Sequence, residues 1–206
     1  MKVLFLCKTF PKGPHDPIVS GEVKNAYYLA LGIAGAGHEV TVWATGPKAE
    51  RFTMGPLDVR VSVPPLKKGV FKTISENISD TAAFSKEHPK GQGFDVVINH
   101  RLTAPIGLLN LARKRHGSYI INTAHGTNWP EINANRFRTA RGMATFLNGG
   151  GQLLLDRKSY AVSDKVVSVS AFQVKELQEI YRLPDDKIAV IRNGVVVGIV
   201  DIGTKL

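Results

Sequence analysis

The sequence predicts an α/β fold: a doubly wound, mostly parallel sheet of about seven strands. Two observations carry that prediction. Strand-like and helix-like patterns alternate from one end of the 206 residues to the other. Most of the strands are short apolar runs rather than apolar–polar alternations, as expected of strands covered on both faces.

Lys2 to Cys7 is the first such run. A loop carrying Pro11, Gly13, Pro14 and Pro17 follows. A helix is then expected from Gly21 to Ala36, where Val23, Ala26, Tyr27, Ala30, Leu31 and Ala34 recur on one helical face. Gly35 and Gly37 end it, and Glu39 to Ala44 is the second strand, so the unit has the size of a parallel crossover. Thr45 to Lys90 is less regular. Within it Leu57 to Val63 alternates as a strand, Pro64-Pro65 stops that strand, and Lys72 to His88 has a helical pattern. Phe94 to Asn99 is a buried strand. Pro105 opens a helix to Arg115, at a position where a missing N–H costs nothing, and Ser118 to Thr123 is the next strand. Asn133 to Gly151, with Arg136, Arg138, Arg141 and three successive glycines, is expected to be a mobile basic segment. Leu153 to Ala161 is helical and Lys165 to Val169 is a strand. Ser170 and Gln173 have capping-box spacing and open a helix that ends near Tyr181. Lys187 to Ile191 is the last strand, and Asn193-Gly194 is a turn, because both residues tolerate positive φ. The pattern as a whole is Rossmann-like.

With 43% hydrophobic and 21% charged residues, the chain falls among globular proteins rather than disordered ones. The lone Cys7 forms no internal disulfide. It is read as a small buried residue, in keeping with a reducing, cytoplasmic setting. The net charge of +10 is spread through both halves. It suits sugar nucleotides, nucleic acid or an anionic membrane surface, and equally a plain solvated basic surface. No apolar run reaches about 18 residues, so no membrane span is expected. The apolar start is too short for a signal peptide and is interrupted by Lys8 and Pro11.

In open parallel sheets, ligands bind beyond the carboxyl ends of the strands. Four loops there carry suggestive residues. Gly21 opens the first helix and leaves backbone N–H groups free for an anion, or is simply a helix start. His100 and Arg101 follow a buried strand, placed either to bind an acceptor or phosphate or only to line the surface. His125 ends another strand, with Gly126 beside it. A histidine there can hydrogen-bond a sugar hydroxyl, move a proton, or cap a carbonyl. Trp129 offers a flat face to a sugar ring, or packs inside. Arg192 can meet a phosphate or sit solvated. The sequence holds no G-x-G-x-x-G, Walker A, H-E-x-x-H or G-x-S-x-G motif, and no cysteine pair for a metal. Asp95, Asp156 and Asp164 are scattered and make no catalytic pair, and interleaved nucleic-acid motifs are not seen.

Taken in order, these loops resemble a known family. The matching runs are Pro17 to Gly21, Gly37-His38-Glu39-Val40, Phe94 to His100, Thr123-Ala124-His125-Gly126, and Ser159 to Asp164 leading through Ser170 to Val190-Ile191-Arg192-Asn193-Gly194-Val195. They look like the amino-terminal half of the retaining sugar-nucleotide glycosyltransferases of family 4, which have the two-Rossmann GT-B architecture. The resemblance implies a glycosyltransferase domain over residues 1–195, followed by a tail over 196–206 that matches no donor-binding lobe. By resemblance, Gly21 approaches the donor phosphates, although the family usually has two glycines where this chain has Ser20-Gly21. His125 is the catalytic histidine near the transferred sugar. His100, Arg101 and Asn128 make acceptor contacts, and Asn193-Gly194 is the interdomain hinge. The donor is a nucleotide sugar, no metal or other cofactor is expected, and the acceptor is a sugar or lipid-linked alcohol. Location is expected in the cytoplasm or at the inner face of the membrane. In the family a second lobe holds most of the donor, so the chain alone is expected to transfer negligible sugar until a separate carboxyl-domain chain joins it. Two alternatives stay open: a non-catalytic binding module or partner subunit, and a nicotinamide-dependent Rossmann enzyme, against which the missing glycine fingerprint counts.

Overall fold

The structure is a computed structural model and describes residues 1–12, 21–63, 70–88, 93–101, 104–125, 151 and 153–192. The strands are β1 (Lys2–Leu6), β2 (Glu39–Thr45), β3 (Glu50–Met54), β4 (Leu57–Ser62), β5 (Val96–Asn99), β6 (Tyr119–Ala124), β7 (Lys165–Ser168) and β8 (Ile188–Val190). The helices are α1 (Gly21–Gly35), α2 (Val70–Glu87), α3 (Ile106–His116), α4 (153–162) and α5 (Ala171–Glu179). They form one eight-stranded sheet in the order β3-β4-β2-β1-β5-β6-β7-β8. Neighbours run parallel throughout except β3 and β4. All seven expected strands are present. The eighth, β3, pairs antiparallel with β4 through the two-residue turn Gly55-Pro56, where Gly55 has φ 55°.

The sheet buries its two faces differently along its width. Val3, Phe5, Cys7, Val40, Val42 and Ala44 pack under Ala26, Ala30 and Ala34 of α1. These alanines lie one helical turn apart, and their small side chains let α1 lie close to the strands. Leu4, Leu6, Val97 and Ile120 point to the other face, against Phe84 of α2 and Leu108, Leu109 and Ala112 of α3. A third cluster joins Val166 and Ala124 to Tyr160 of α4 and to Leu177 and Tyr181 beyond the strands. Leu4, Phe5 and Leu6 are wholly buried, each contributing about 1.5–3 kcal/mol. This explains why β1 reads as an unbroken apolar run.

Local signals place the helix ends. Ser170 has extended backbone and its hydroxyl accepts from the Gln173 N–H at 3.3 Å. The Gln173 carboxamide oxygen meets the Ser168 hydroxyl at 3.3 Å. Gly117 ends α3 in the left-handed region, φ 66°. No helix among the described residues is long and apolar enough to cross a membrane. The expected basic segment over 133–151 lies almost wholly outside the described residues, as do the hinge at Asn193-Gly194 and the tail.

Candidate functional site

The chain leaves β1 to form β2 on one side and β4 beyond it, then crosses to β5 on the other side. The order therefore reverses between β1 and β5, and the carboxyl ends of those strands form the crevice where open sheets bind ligands. A groove of about 650 Å³ opens beside this point. One wall is the outer side of α1, with Gly21, Lys24, Asn25, Tyr28 and Leu29. The floor is the sheet: Ile98 of β5, Ile121 and Thr123 of β6, and Val167 of β7. His100, Val169, Ile191 and Arg192 close the carboxyl end.

The floor follows from register. Ile98 lies opposite Ile121, and Thr123 lies opposite Val167. Side chains alternate across a strand, so these four share one face, while Val97, Asn99, Ile120 and Asn122 share the other. Beneath the floor, Asn99 Nδ2 donates to Asn122 Oδ1 at 2.7 Å, and Asn122 Nδ2 to Ser159 Oγ at 3.1 Å. Asn99 also donates to the Arg101 carbonyl at 3.1 Å, which fixes the backbone on either side of His100.

His100 is 1% exposed. Its ring lies against Phe5 and, edge to face, against His125, with ring centres 3.9 Å apart. Pairing of β5 with β6 brings the two strand-end histidines together. Among the described residues the His100 ring has only the Glu22 backbone as a hydrogen-bonding neighbour, at loose geometry, and His125 Nε2 has none. Burial, then the neighbouring His125, push the His100 pKa down to about 3, against a hydrogen bond with the Glu22 backbone that raises it. Burial lowers that of His125 as well. Both imidazoles are therefore neutral near pH 7, each offering one donor and one acceptor. The Glu22 carboxyl, in the first turn of α1, is raised by burial against the opposing charge of Lys8.

Arg101 has a different situation from the acceptor contact expected of it. It is buried, and Nη1 pairs with Asp80 of α2 at 2.5 Å. Nε donates to the Cys7 carbonyl at 3.0 Å and Nη2 to that of Trp43 at 3.4 Å. The guanidinium thus locks α2 onto the carboxyl ends of β1 and β2, and those contacts occupy each of its nitrogens. Gly21 lies on the groove wall, and a Cβ there would meet nothing within 4 Å among the described residues. Arg192 lines the groove and is exposed. Asn128, Gly126 and Trp129 lie outside the described residues. Asp95 and Asp164 serve the opposite end of the sheet. Asp95 accepts from the Lys2 N–H at 2.7 Å, and Asp164 accepts from the Ile120 N–H and pairs with Arg113. Burial drives the Cys7 thiol up to about 12, which makes it a packing residue rather than a nucleophile. Among the described residues no three His, Cys, Asp or Glu side chains group as metal ligands.

Lys24, Tyr28 and Leu29 line the groove and are not among the residues singled out from the sequence. Tyr28 and Leu29 are 38% and 40% exposed. The available signal was an apolar pair lying off the Ala26–Ala30–Ala34 stripe.

The sequence matches the family model described as Glycosyltransferase Family 4 over residues 19–198. No curated protein matches it. Among solved structures, the chain is similar to the catalytic domain of starch synthase IV from Arabidopsis thaliana, determined with ADP and acarbose. That likeness has TM-score 0.59 at 11% identity and covers 94% of this chain and 51% of that one. A glycosyltransferase from Rickettsia africae aligns at TM-score 0.50 and 20% identity, over 94% and 44% of the two chains. An Arabidopsis thaliana protein solved with UDP-L-rhamnose aligns at 0.54 and 12%, over 97% and 50%. At these identities the likeness shows the fold, a Rossmann-like half of a GT-B architecture. The chain spans about half the length of the solved structures it matches. With the family model covering residues 19–198, the chain belongs to Glycosyltransferase Family 4.

Proposed function

We propose that this domain is the acceptor-side lobe of a retaining glycosyltransferase, which moves a sugar from a nucleotide donor to an acceptor hydroxyl. The observation that carries the reading is the groove: it ends at the topological switch point, beside the start of α1, with the buried imidazole of His100 in its lining. In the reaction the acceptor oxygen bonds to the anomeric carbon, the bond from that carbon to the diphosphate breaks, and the acceptor proton leaves with the departing phosphate. Negative charge grows on the diphosphate. The positive end of the α1 dipole at Gly21, with Lys24 and Arg192 on the groove, suits that charge. In this reading His125, in contact with His100, meets the transferred sugar, and Arg101 acts only by holding the backbone that carries His100. A second lobe, in the same polypeptide or another, supplies the remaining donor contacts.

Saturation-transfer NMR with methyl and n-octyl glycosides of glucose, galactose and mannose tests the acceptor site. At least one glycoside should receive saturation from the protein, and Thr123→Trp, which fills the groove floor, should abolish it. Absence of transfer to every glycoside, with tight NAD binding instead, would replace this reading with a nicotinamide-dependent one.

A further inference from the structure

The closed face of the sheet carries a polar seam apart from the groove lining. α2 meets the sheet along one helical stripe: Asp80, then Phe84, then Glu87 and His88 at its end. Trp43 and Arg60 stand opposite each other where β2 pairs with β4, and both reach the end of that helix. The His88 ring is buried among Trp43, Phe84 and Phe94, with ring centres 6.3, 5.0 and 4.9 Å away. Its Nε2 lies 3.2 Å from Arg60 Nη1. A guanidinium only donates, so Nε2 accepts and the proton of the neutral ring sits on Nδ1. Arg60 is held from two sides. Asp58 Oδ2 accepts from its Nε at 3.2 Å and its Nη2 at 3.1 Å, and Glu87 Oε2 accepts from Nη1 at 2.7 Å. Arg51 of β3 fixes Asp58 in turn, with Nε 2.8 Å from Oδ1. The guanidinium therefore cannot swing away from the ring without breaking those pairs.

A proton on Nε2 would remove the acceptor and set a second cation against Arg60. Burial and then Arg60 hold the His88 pKa below its ordinary value, with His116 of α3 acting in the same direction and Glu87 and Asp58 opposing. Both carboxylates are engaged by Arg60, and the Glu87 side chain is 44% exposed, so they compensate only in part. We propose that His88 is an acid-sensitive latch: neutral, it accepts from Arg60 and holds the end of α2 on β4, and protonated, it lets that end go. The latch is complete above the ordinary histidine value of 6.5 and weakens as pH falls below it, because the released ring takes up the proton first. Two turns earlier on the same stripe, Asp80 holds Arg101 at the strand ends, so the latch ties acidity to the helix that braces them. It stands whether or not the groove takes an acceptor.

Hydrogen exchange of the whole chain at pH 7 and pH 5, expressed as protection factors, tests it. His88→Gln places an amide oxygen near the position of Nε2 and does not titrate. It should keep the pH 7 protection of Phe84 to His88 within threefold of the parent. Between pH 7 and 5 the parent should lose at least about fivefold more protection there than the variant does. Equal losses in the two proteins would overturn the latch. So would parent protection at pH 5 that is the same for Phe84 to His88 as for Leu4 to Leu6, since the end of α2 would then come off only with the whole fold. Should His88→Gln fail to fold, long-range proton–nitrogen NMR of the parent decides. Nε2 should carry no proton at pH 7, and the ring should titrate below 6.5. A proton on Nε2, or a midpoint at or above 6.5, would overturn the proposal.

Discussion

One face of the sheet is treated in two ways. Over β1, β2 and β4, Val3, Phe5, Val40 and Val42 are sealed beneath the alanines of α1. Over β5 to β7, the same face leaves Ile98, Ile121 and Val167 half-covered at the floor of a groove. The residues are of the same kind, and α1 borders both regions. What differs is what faces them: small side chains that let backbones approach on one side, and Tyr28 and Leu29 standing away from the core on the other. The first region is built for stability. The second gives up part of its burial to keep space beside His100.

The largest predicted effect concerns the lock that joins the two regions. Asp80→Ala leaves the Arg101 guanidinium buried without its carboxylate, and loss of one partner from a buried pair costs about 3–5 kcal/mol. Urea denaturation should show a loss of that size. A loss below about 1 kcal/mol would mean that the pair does not bind α2 to the strand ends.

Truncation should then separate sealed positions from open ones. Leu109→Ala, at a wholly buried position on the closed face, should cost about 2–5 kcal/mol. Ile121→Ala on the groove floor should cost about 1 kcal/mol, because its neighbours are already partly absent. Equal losses would mean that the groove is as tightly packed as the core.

The histidine end of the groove adds a pH dependence. His100 has a folded pKa near 3, well below its ordinary 6.5, so the unfolded chain takes up the proton first as pH falls. The stabilisation is complete above pH 6.5 and is lost progressively between pH 6.5 and 3. At pH 4.5 the loss is about 2–3 kcal/mol. Comparing denaturation at pH 7 and 4.5 should show a loss in the parent that is smaller by about this amount in His100→Phe, where His125 and His88, also lowered by burial, still contribute. The smallest effect is at the helix start. Gly21→Ala should change stability by under about 0.5 kcal/mol, since a Cβ there meets nothing among the described residues, so any large loss of nucleotide-sugar binding would be local to the groove.

The closed region was the more legible in the sequence, because its signals are local. Apolar runs mark β1, β2, β5 and β6, and Ser170 marks the start of α5. The antiparallel β3 was missed: Glu50 and Arg51 make it polar at a sheet edge, and its turn is a Gly-Pro rather than an Asn-Gly. The site was legible as loops but not as a constellation. His100 and His125 each stood out at a strand end, and only the pairing of β5 with β6 puts their rings together. Arg101 looked like a ligand-facing cation because its partner, Asp80, lies on a separate helix. Apolar periodicity cannot tell Ile121 on a groove floor from Ile120 under a helix, since both are isoleucines on one strand.

The claim that the half-covered face is the acceptor site is tested most directly by amide chemical-shift mapping during titration with the octyl glycoside that binds best. The account predicts that the largest shifts fall on Lys24 to Leu29, His100, Thr123 and Val167. Shifts centred instead on α3 or on the β3–β4 edge, with the groove residues unmoved, would contradict it.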